Sequence, residues 1–305
     1  MIEIPESNTI ANQLNKTIKG KKIVSVITNT HPHKFAFFYN DSKGYNDLLK
    51  GKIIGGANAY GGQISISSVE ESKIKNDFNK YSDNNLNSLE NRNKFTDEEM
   101  IIVLGEDTLI KYIDGEEIPE KNQLLIKFED STAIVCSARM YAQLHVSLAN
   151  NYKNEYFDIA VNKPSPLSDN FDFEYFENLI SEVRPISSVK SFLATKQRIP
   201  GLGNGTLQDI LFNAKINPKS KLKKLSKEDK INLFNSIKRT LFEMTDNGGR
   251  NTEKTLFGEY GGYEVILSSK TFKNPCTLCG DKIIKESYLG GTIYYCPTCQ
   301  ELKTS

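Results

Sequence analysis

Gln197-Arg198-Ile199-Pro200-Gly201-Leu202-Gly203-Asn204 lies between two stretches of helical spacing, and its reading decides the fold of the C-terminal half. Pro200 and two glycines make a tight turn, so Asn204 and the amides after it open the next helix. Backbone N–H groups at a helix N-terminus form a natural seat for phosphate. Asn204 adds a side-chain donor, and the Gly203 amide lies beside it. The pattern predicts a helix–two-turn–helix motif; the plain alternative is a Gly-rich connection between packed helices.

The surroundings agree with a helical region. The spacing predicts helices over Phe173 to Val183, Ser188 to Gln197 and Thr206 to Ala214. A longer one begins at its N-cap Ser226, carries Ile231, Phe234, Ile237 and Leu241 on one face, and stops before Gly248-Gly249. Farther on stand Cys276-Thr277-Leu278-Cys279 and Cys296-Pro297-Thr298-Cys299. Two CxxC knuckles at this separation suit one tetrahedral four-thiolate zinc site on a β-hairpin. Ile283-Ile284 and Ile293-Tyr294-Tyr295 read as its strands, with Gly290-Gly291 as the turn. A zinc that only staples a small fold is compatible with a hairpin that also touches a phosphate-bearing ligand. Neither knuckle sits in a strand–helix unit, which argues against a thioredoxin-like redox motif.

Upstream the pattern differs. Residues 5–19 carry Ile10, Ala11, Leu14 and Ile18 at helical spacing behind Pro5. Short apolar runs follow at 23–27, 35–39, 53–54, 63–66, 101–104, 124–128 and 133–136, split by Gly, Asn and Asp turns. They predict an antiparallel sandwich or barrel. Residues 68–100, rich in Asn, Ser, Lys and Glu, read as an insertion between two strands. Pro164-Ser165-Pro166-Leu167-Ser168-Asp169 marks a linker near 160–172. The expected class is α+β: a sandwich domain over 1–160, a helix–two-turn–helix domain over 161–270 and a zinc finger over 271–305.

The net charge of +1 conceals an asymmetry. Residues 185–305 hold 19 Lys and Arg against 11 Asp and Glu, whereas 1–184 hold 20 against 27. A basic C-terminal half is the footprint of a phosphate-binding surface. No apolar run approaches the roughly 20 residues of a bilayer span. The first residues lack a basic-then-apolar signal, so a reducing cytoplasm is expected and metal binding is favoured over disulfides. His31 and His33 read as a solvent loop, and Cys136 on an apolar strand reads as core.

The chain resembles the formamidopyrimidine-DNA glycosylase and endonuclease VIII family over almost its whole length. The resemblance is carried by Glu3-Ile4-Pro5-Glu6, by the run from Gln197 through Leu207-Gln208-Asp209-Ile210-Leu211-Phe212, and by the finger ending Cys296-Pro297-Thr298-Cys299-Gln300. It implies a β-sandwich, a helix–two-turn–helix domain and a structural zinc hairpin, with double-stranded DNA in the cleft and the damaged base flipped out. It also implies that Lys190 and Asn204 hold phosphates, with Gly203 and Gln300 among the DNA-binding positions. Glu3 matches the catalytic carboxylate and Glu6 its neighbour.

The departures gather at that same cleft. Family enzymes present an N-terminal Pro amine to the sugar, and position 2 here is Ile. A bulky Ile2 preserves Met1, whose α-amine is a competent nucleophile placed one residue along. The region aligned with the family's strand Lys is Tyr60-Gly61-Gly62, and Gly290-Gly291 stands in place of the hairpin-tip Arg. The insertion precedes Leu104-Gly105-Glu106-Asp107, where relatives fill the gap left by the flipped base.

The expected function is base-excision glycosylase activity in a monomer. Either Met1 acts as the amine with lyase activity, or Glu3 activates water. The plain role for Glu3 is a charge complementing a helix dipole. The alternative function is a non-catalytic binder of abasic or distorted DNA. A sequence-reading zinc-finger regulator lacks a recognition helix.

Overall fold

The computed structural model describes residues 1–72 and 99–303; the inserted segment expected over 68–100 therefore lies outside the described residues except at its edges. Pro5 opens α1 (Ile4–Thr17), where a missing N–H costs nothing. The helix is shared between two cores. Ile10, Ala11, Leu14 and Ile18 pack into an apolar cluster with the sheet, while Ile4 packs with the C-terminal helices.

The sheet contains β1 (Ile23–Thr28), β2 (Ala36–Phe38), β3 (Ile53–Tyr60), β4 (Gln63–Val69), β5 (Met100–Ile113), β6 (Leu124–Phe128) and β7 (Ala133–Leu148). Its order is β1-β6-β7-β5-β4-β3, with β2 beside β7. Pairing is antiparallel except for β2 and β7, which run parallel. The expected short runs at 101–104 and 133–136 are only the starts of the two longest strands. Past a bulge between Glu106 and Thr108, β5 and β7 remain paired to their far ends. Residues from β1, β4, β5, β6 and β7 enclose one core, which makes the layers of a sandwich. A short α2 (Tyr45–Leu49), not legible beforehand, places fully buried Tyr45 and Leu49 against it.

A second short helix, α3 (Glu155–Asn162), precedes the Pro-rich connection, capped by Asn154 accepting from the Phe157 amide. Then come α4 (Phe173–Ser181), α5 (Val189–Ala194), α6 (Asn204–Asn213) and α7 (Lys227–Asp246). The helix expected to run to Gln197 ends at Ala194, because Lys196 and Gln197 both take left-handed backbone at φ 58° and 49°. Ser226 does cap α7, in a reciprocal pair with Asp229. Its core face carries Leu233, Ile237, Leu241 and Met244; Ile231, expected on that face, is 37 % exposed.

After α7 the chain returns to the sandwich before reaching the finger. Leu256 is fully buried in the sheet core, its carbonyl accepts from the Tyr112 amide, and its N–H donates to the Gln13 side chain. The finger itself is the hairpin β8 (Ile284–Tyr288) and β9 (Gly291–Tyr295). Its two-residue turn is Leu289-Gly290, both with positive φ (48° and 72°), and Gly291 already belongs to β9. A primed turn matches the right-handed twist of its strands. It places Leu289, 55 % exposed, at the tip.

Candidate nucleic-acid interface

The first four residues thread between the two halves. The Ile2 amide donates to the Glu106 carbonyl at 2.7 Å, and the Ile4 amide to the Gly201 carbonyl at 3.1 Å. Gly201 has φ +76°, and a Cβ there would lie 2.2 Å from the backbone of Gly61 and Gly62. The Gly61-Gly62 turn therefore holds backbone against backbone. Ile2 itself is buried, 7 % exposed, and packs into the sandwich core.

That threading delivers Glu3 to the N-terminus of α6. Its carboxylate accepts from the amides of Gly203 (3.2 Å), Gly205 (2.9 Å) and Thr206 (2.9 Å), with Arg250 Nη1 3.4 Å away. The dipole that Glu3 complements is thus chiefly that of another helix, 200 residues away in sequence. The amides after Asn204 expected to receive phosphate, those of Gly205 and Thr206, are occupied by this carboxylate, as is that of Gly203. At Gly205 a Cβ would fall 1.7 Å from Arg250 Nη1, so only glycine admits the guanidinium at that helix start.

Glu6 and Arg250 complete a buried cluster. Arg250 grips Glu6 in a fork, Nε to Oε1 at 2.9 Å and Nη2 to Oε2 at 2.8 Å, and its backbone amide adds a third bond at 3.2 Å. Burial alone would push the Glu6 carboxyl up, but the charge and hydrogen bonds of Arg250 outweigh it and hold it below its ordinary value. Burial opposes the Arg250 charge, and Glu3 and Glu6 reverse that effect. Glu6 therefore ties α1 to the segment after α7 and is not among the residues lining the cleft described below.

Outside this cluster the Met1 ammonium sits between Asp107 Oδ1 (2.8 Å) and Glu253 Oε1 (2.9 Å). Arg139 of β7 bridges the same two carboxylates, at 2.8 and 2.5 Å. Burial raises Asp107, and the amine and Arg139 more than compensate. Glu106 is displaced the other way, raised by burial and by the Asp107 charge. It holds left-handed backbone at φ 59°, on the bulge of β5.

A cleft of about 540 Å³ opens between these groups and the zinc hairpin. Met1, Ile2 and Glu3 line one side, Lys190, Gln197, Gly203 and Asn204 the floor, and Leu289 to Gly291 the far rim. Both expected phosphate holders contact the hairpin backbone: Lys190 Nζ donates to the Tyr288 carbonyl, and Asn204 Nδ2 to the Thr292 carbonyl at 2.9 Å. Desolvation lowers the Lys190 ammonium. Beyond the mouth, Met140 and Tyr141 stand 56 % and 45 % exposed beside Arg139 on β7.

The four cysteine sulfurs of the finger converge within 4.8 Å of one another. Cys276 and Cys299 stand 3.8 Å apart and Cys279 and Cys296 3.5 Å. A tetrahedron with Zn–S bonds of about 2.3 Å has edges of about 3.8 Å, so the donor set fits Zn²⁺ with little adjustment. Gln300 must be reassigned. It is fully buried, accepting from the Cys296 amide and donating to the Ile216 carbonyl, and so locks the finger onto the helices with no atom free for DNA. Asp209 does similar work from α6, accepting from the amides of Ile266 and Leu267; burial pushes its carboxyl up to about 6.

Arg250, Arg139 and Glu253 escaped the reading of the sequence, and Asp107 entered it only as part of the segment Leu104 to Asp107, not as a partner of the Met1 amine. The only signal was the Gly248-Gly249 stop before Arg250, which reads as a helix end and does not announce a buried cation. Cys136 is core, as expected, and His31 and His33 lie in an exposed to half-buried loop.

The family model of the Formamidopyrimidine-DNA glycosylase H2TH domain matches residues 163–255. A formamidopyrimidine-DNA glycosylase of Pelotomaculum thermopropionicum is 34% identical over 118 residues; the match spans 38% of this chain and 43% of that protein, under half its length. One from Enterococcus faecalis is 24% identical over 99% of this chain and 98% of its own. Among solved structures, the MutM (Fpg) protein from Thermus thermophilus superposes with a TM-score of 0.73 at 19% identity, covering 98% of this chain and 99% of that one. The Lactococcus lactis Fpg bound to DNA containing an abasic site gives 0.75 at 20% identity, with the same coverage. No described helix is long and apolar enough to cross a membrane. Residues 163–255 thus carry an H2TH domain of the formamidopyrimidine-DNA glycosylase type, and the chain along almost its whole length shares the fold of the solved Fpg structures.

Proposed function

We propose that the chain is a DNA glycosylase of base excision repair, which binds double-stranded DNA containing a damaged base and releases that base. The observation that carries this reading is the shared cleft: the Glu3 carboxylate, the Lys190 amine and the α6 N-terminus face one space. Its volume lies within the roughly 300–1,000 Å³ of small-molecule sites, ample for one extruded base. The backbone that carries such a base would run along the basic C-terminal half, whose charge favours phosphate. Met140 and Tyr141 offer apolar faces of the kind that wedge into a base stack.

The departing base leaves positive charge on the sugar C1′. The negative charge of Glu3, fixed by three amides, stabilises that charge and orients water against it. Asn204 and Lys190 position the sugar-phosphate chain from the floor. Residues 1–160, 161–270 and 271–305 form the sandwich, helical and finger domains of a cytoplasmic, DNA-associated monomer. Zn²⁺ on Cys276, Cys279, Cys296 and Cys299 has a structural part, keeping the hairpin rim in place.

One observation favours the non-catalytic binder. Four contacts occupy the two Glu3 oxygens, about as many as a carboxylate has lone pairs to offer. Release of a base from duplexes carrying oxidised or ring-opened bases separates the two readings. The wild-type protein should release the base, and Glu3→Gln should lose that release by ~100-fold or more while still shifting an abasic duplex. No release from any lesion by the wild type makes the binder correct.

A further inference from the structure

The cleft contains two amines that differ in what surrounds them. The Met1 ammonium is clasped between Asp107 and Glu253, and Arg139 closes the clasp from the other side. Lys190 has no carboxylate partner among the described residues, and it is the one lysine lining this space. Its residue is 4 % exposed, and its Nζ meets the Tyr288 carbonyl and the Tyr288 ring, 5.9 Å to the centroid. Two walls converge on it: a Cβ on Gly291 would stand 3.3 Å from Nζ and 3.4 Å from Asn204 Oδ1. The side chain is therefore held at one place on the floor, beside the start of α6.

We propose that Lys190 is the amine of this protein that condenses with an abasic site, an assignment that rests on the cleft being the lesion site. The ring-opened form of an abasic sugar carries an aldehyde at C1′. The Nζ lone pair adds to that carbon, the carbonyl oxygen takes up the two amine protons and leaves as water, and a C=N bond joins Lys190 to the sugar. Nothing beyond the two partners is consumed. A lysine is suited to this when desolvation favours its neutral form, and burial lowers Lys190 with no acid to restore the charge. The terminal amine is held between two carboxylates, 2.8 Å from Asp107 and 2.9 Å from Glu253, and must leave both before it can reach a sugar on the floor.

The test uses the full-length protein, saturating over a duplex with a single abasic site, and borohydride to reduce any imine to a stable amine. Peptide mapping of the trapped protein should place the sugar on the fragment containing Lys190. Lys190→Arg keeps the positive charge and should lose the adduct when run at saturation, with thermal melting confirming that it folds. An adduct on Met1 or on another lysine overturns the assignment. So does a bound duplex with no adduct, and in that case base release decides separately whether the glycosylase reading stands. A protein that neither binds the duplex nor releases a base refutes both.

Discussion

The Glu3–Glu6–Arg250 cluster and the Met1–Asp107–Arg139–Glu253 cluster flank Ile2 and use the same kinds of charge in opposite surroundings. In the first, the side chains are 3–5 % exposed, and the cation is gripped in a bidentate fork. In the second, exposure runs from 17 % at Glu253 to 61 % at Met1. Burial makes the inner cluster directional: each polar atom has an assigned partner, and removing one leaves the others uncompensated. Water keeps the outer cluster loose, so its members can be exchanged for another charge at little cost. One end of the chain thus holds both a fixed joint between the two halves and a replaceable set of ions at the mouth of the cleft.

The largest expected effect comes from breaking the joint. Arg250→Ala leaves Glu3 and Glu6 buried side by side and should cost ~3–5 kcal/mol of stability. Thermal or urea unfolding measures it. Arg250→Lys keeps the charge but loses the fork, and should fall between that variant and the wild type. A loss below ~1 kcal/mol for Arg250→Ala would mean that the two clusters do not differ as their burial says.

How far the sequence discloses this contrast depends on the range of the interaction. Elements specified by neighbours are legible: Pro5 before α1, the Ser226 cap of α7, and the two CxxC knuckles. The turn at Gly201 is legible as a turn, but the Gly61-Gly62 backbone packed on it is not. Glu3 presents itself as a charge on its own helix, and it caps α6 because the intervening chain folds back over it. Gln300 illustrates the converse. Its place beside the last cysteine suggests the DNA face, but its side chain turns inward to bond Cys296 and Ile216. Strand length is lost for a related reason. The central part of β7, from Arg139 to Tyr141, is exposed and breaks the apolar pattern, while pairing with β2 and β5 carries the strand onward.

A smaller effect sharpens the comparison through pH. Glu6 is held below its ordinary value near 4.5. A depressed carboxyl contributes stability that is complete above the unfolded value and is lost as pH falls through the folded one. Unfolding free energy should therefore decline as pH drops below about 4.5, and Glu6→Gln should flatten that decline as well as lowering stability at neutral pH. Denaturant titrations at a series of pH values read both. An unchanged acid limb in Glu6→Gln would assign the acid sensitivity elsewhere.

The smallest effect belongs to the mouth, and its sign carries the information. Glu253→Gln removes one partner of the Met1 ammonium and of Arg139, so stability should change by no more than ~1 kcal/mol. The same substitution takes a negative charge away from the cleft entrance and leaves Arg139 with Asp107 alone. If the outer ions are replaceable, a phosphate can then claim Arg139 without displacing Glu253. Affinity for an abasic duplex should rise, by roughly two- to fivefold for ~0.5–1 kcal/mol. The gain should shrink with added salt, because contacts at exposed charges are screened within about 10 Å at 0.1 M. Binding titrations at two ionic strengths read this directly. A weaker complex in Glu253→Gln would show that the clasp shapes the entrance as rigidly as Arg250 holds the joint, and the distinction between the two clusters would be lost.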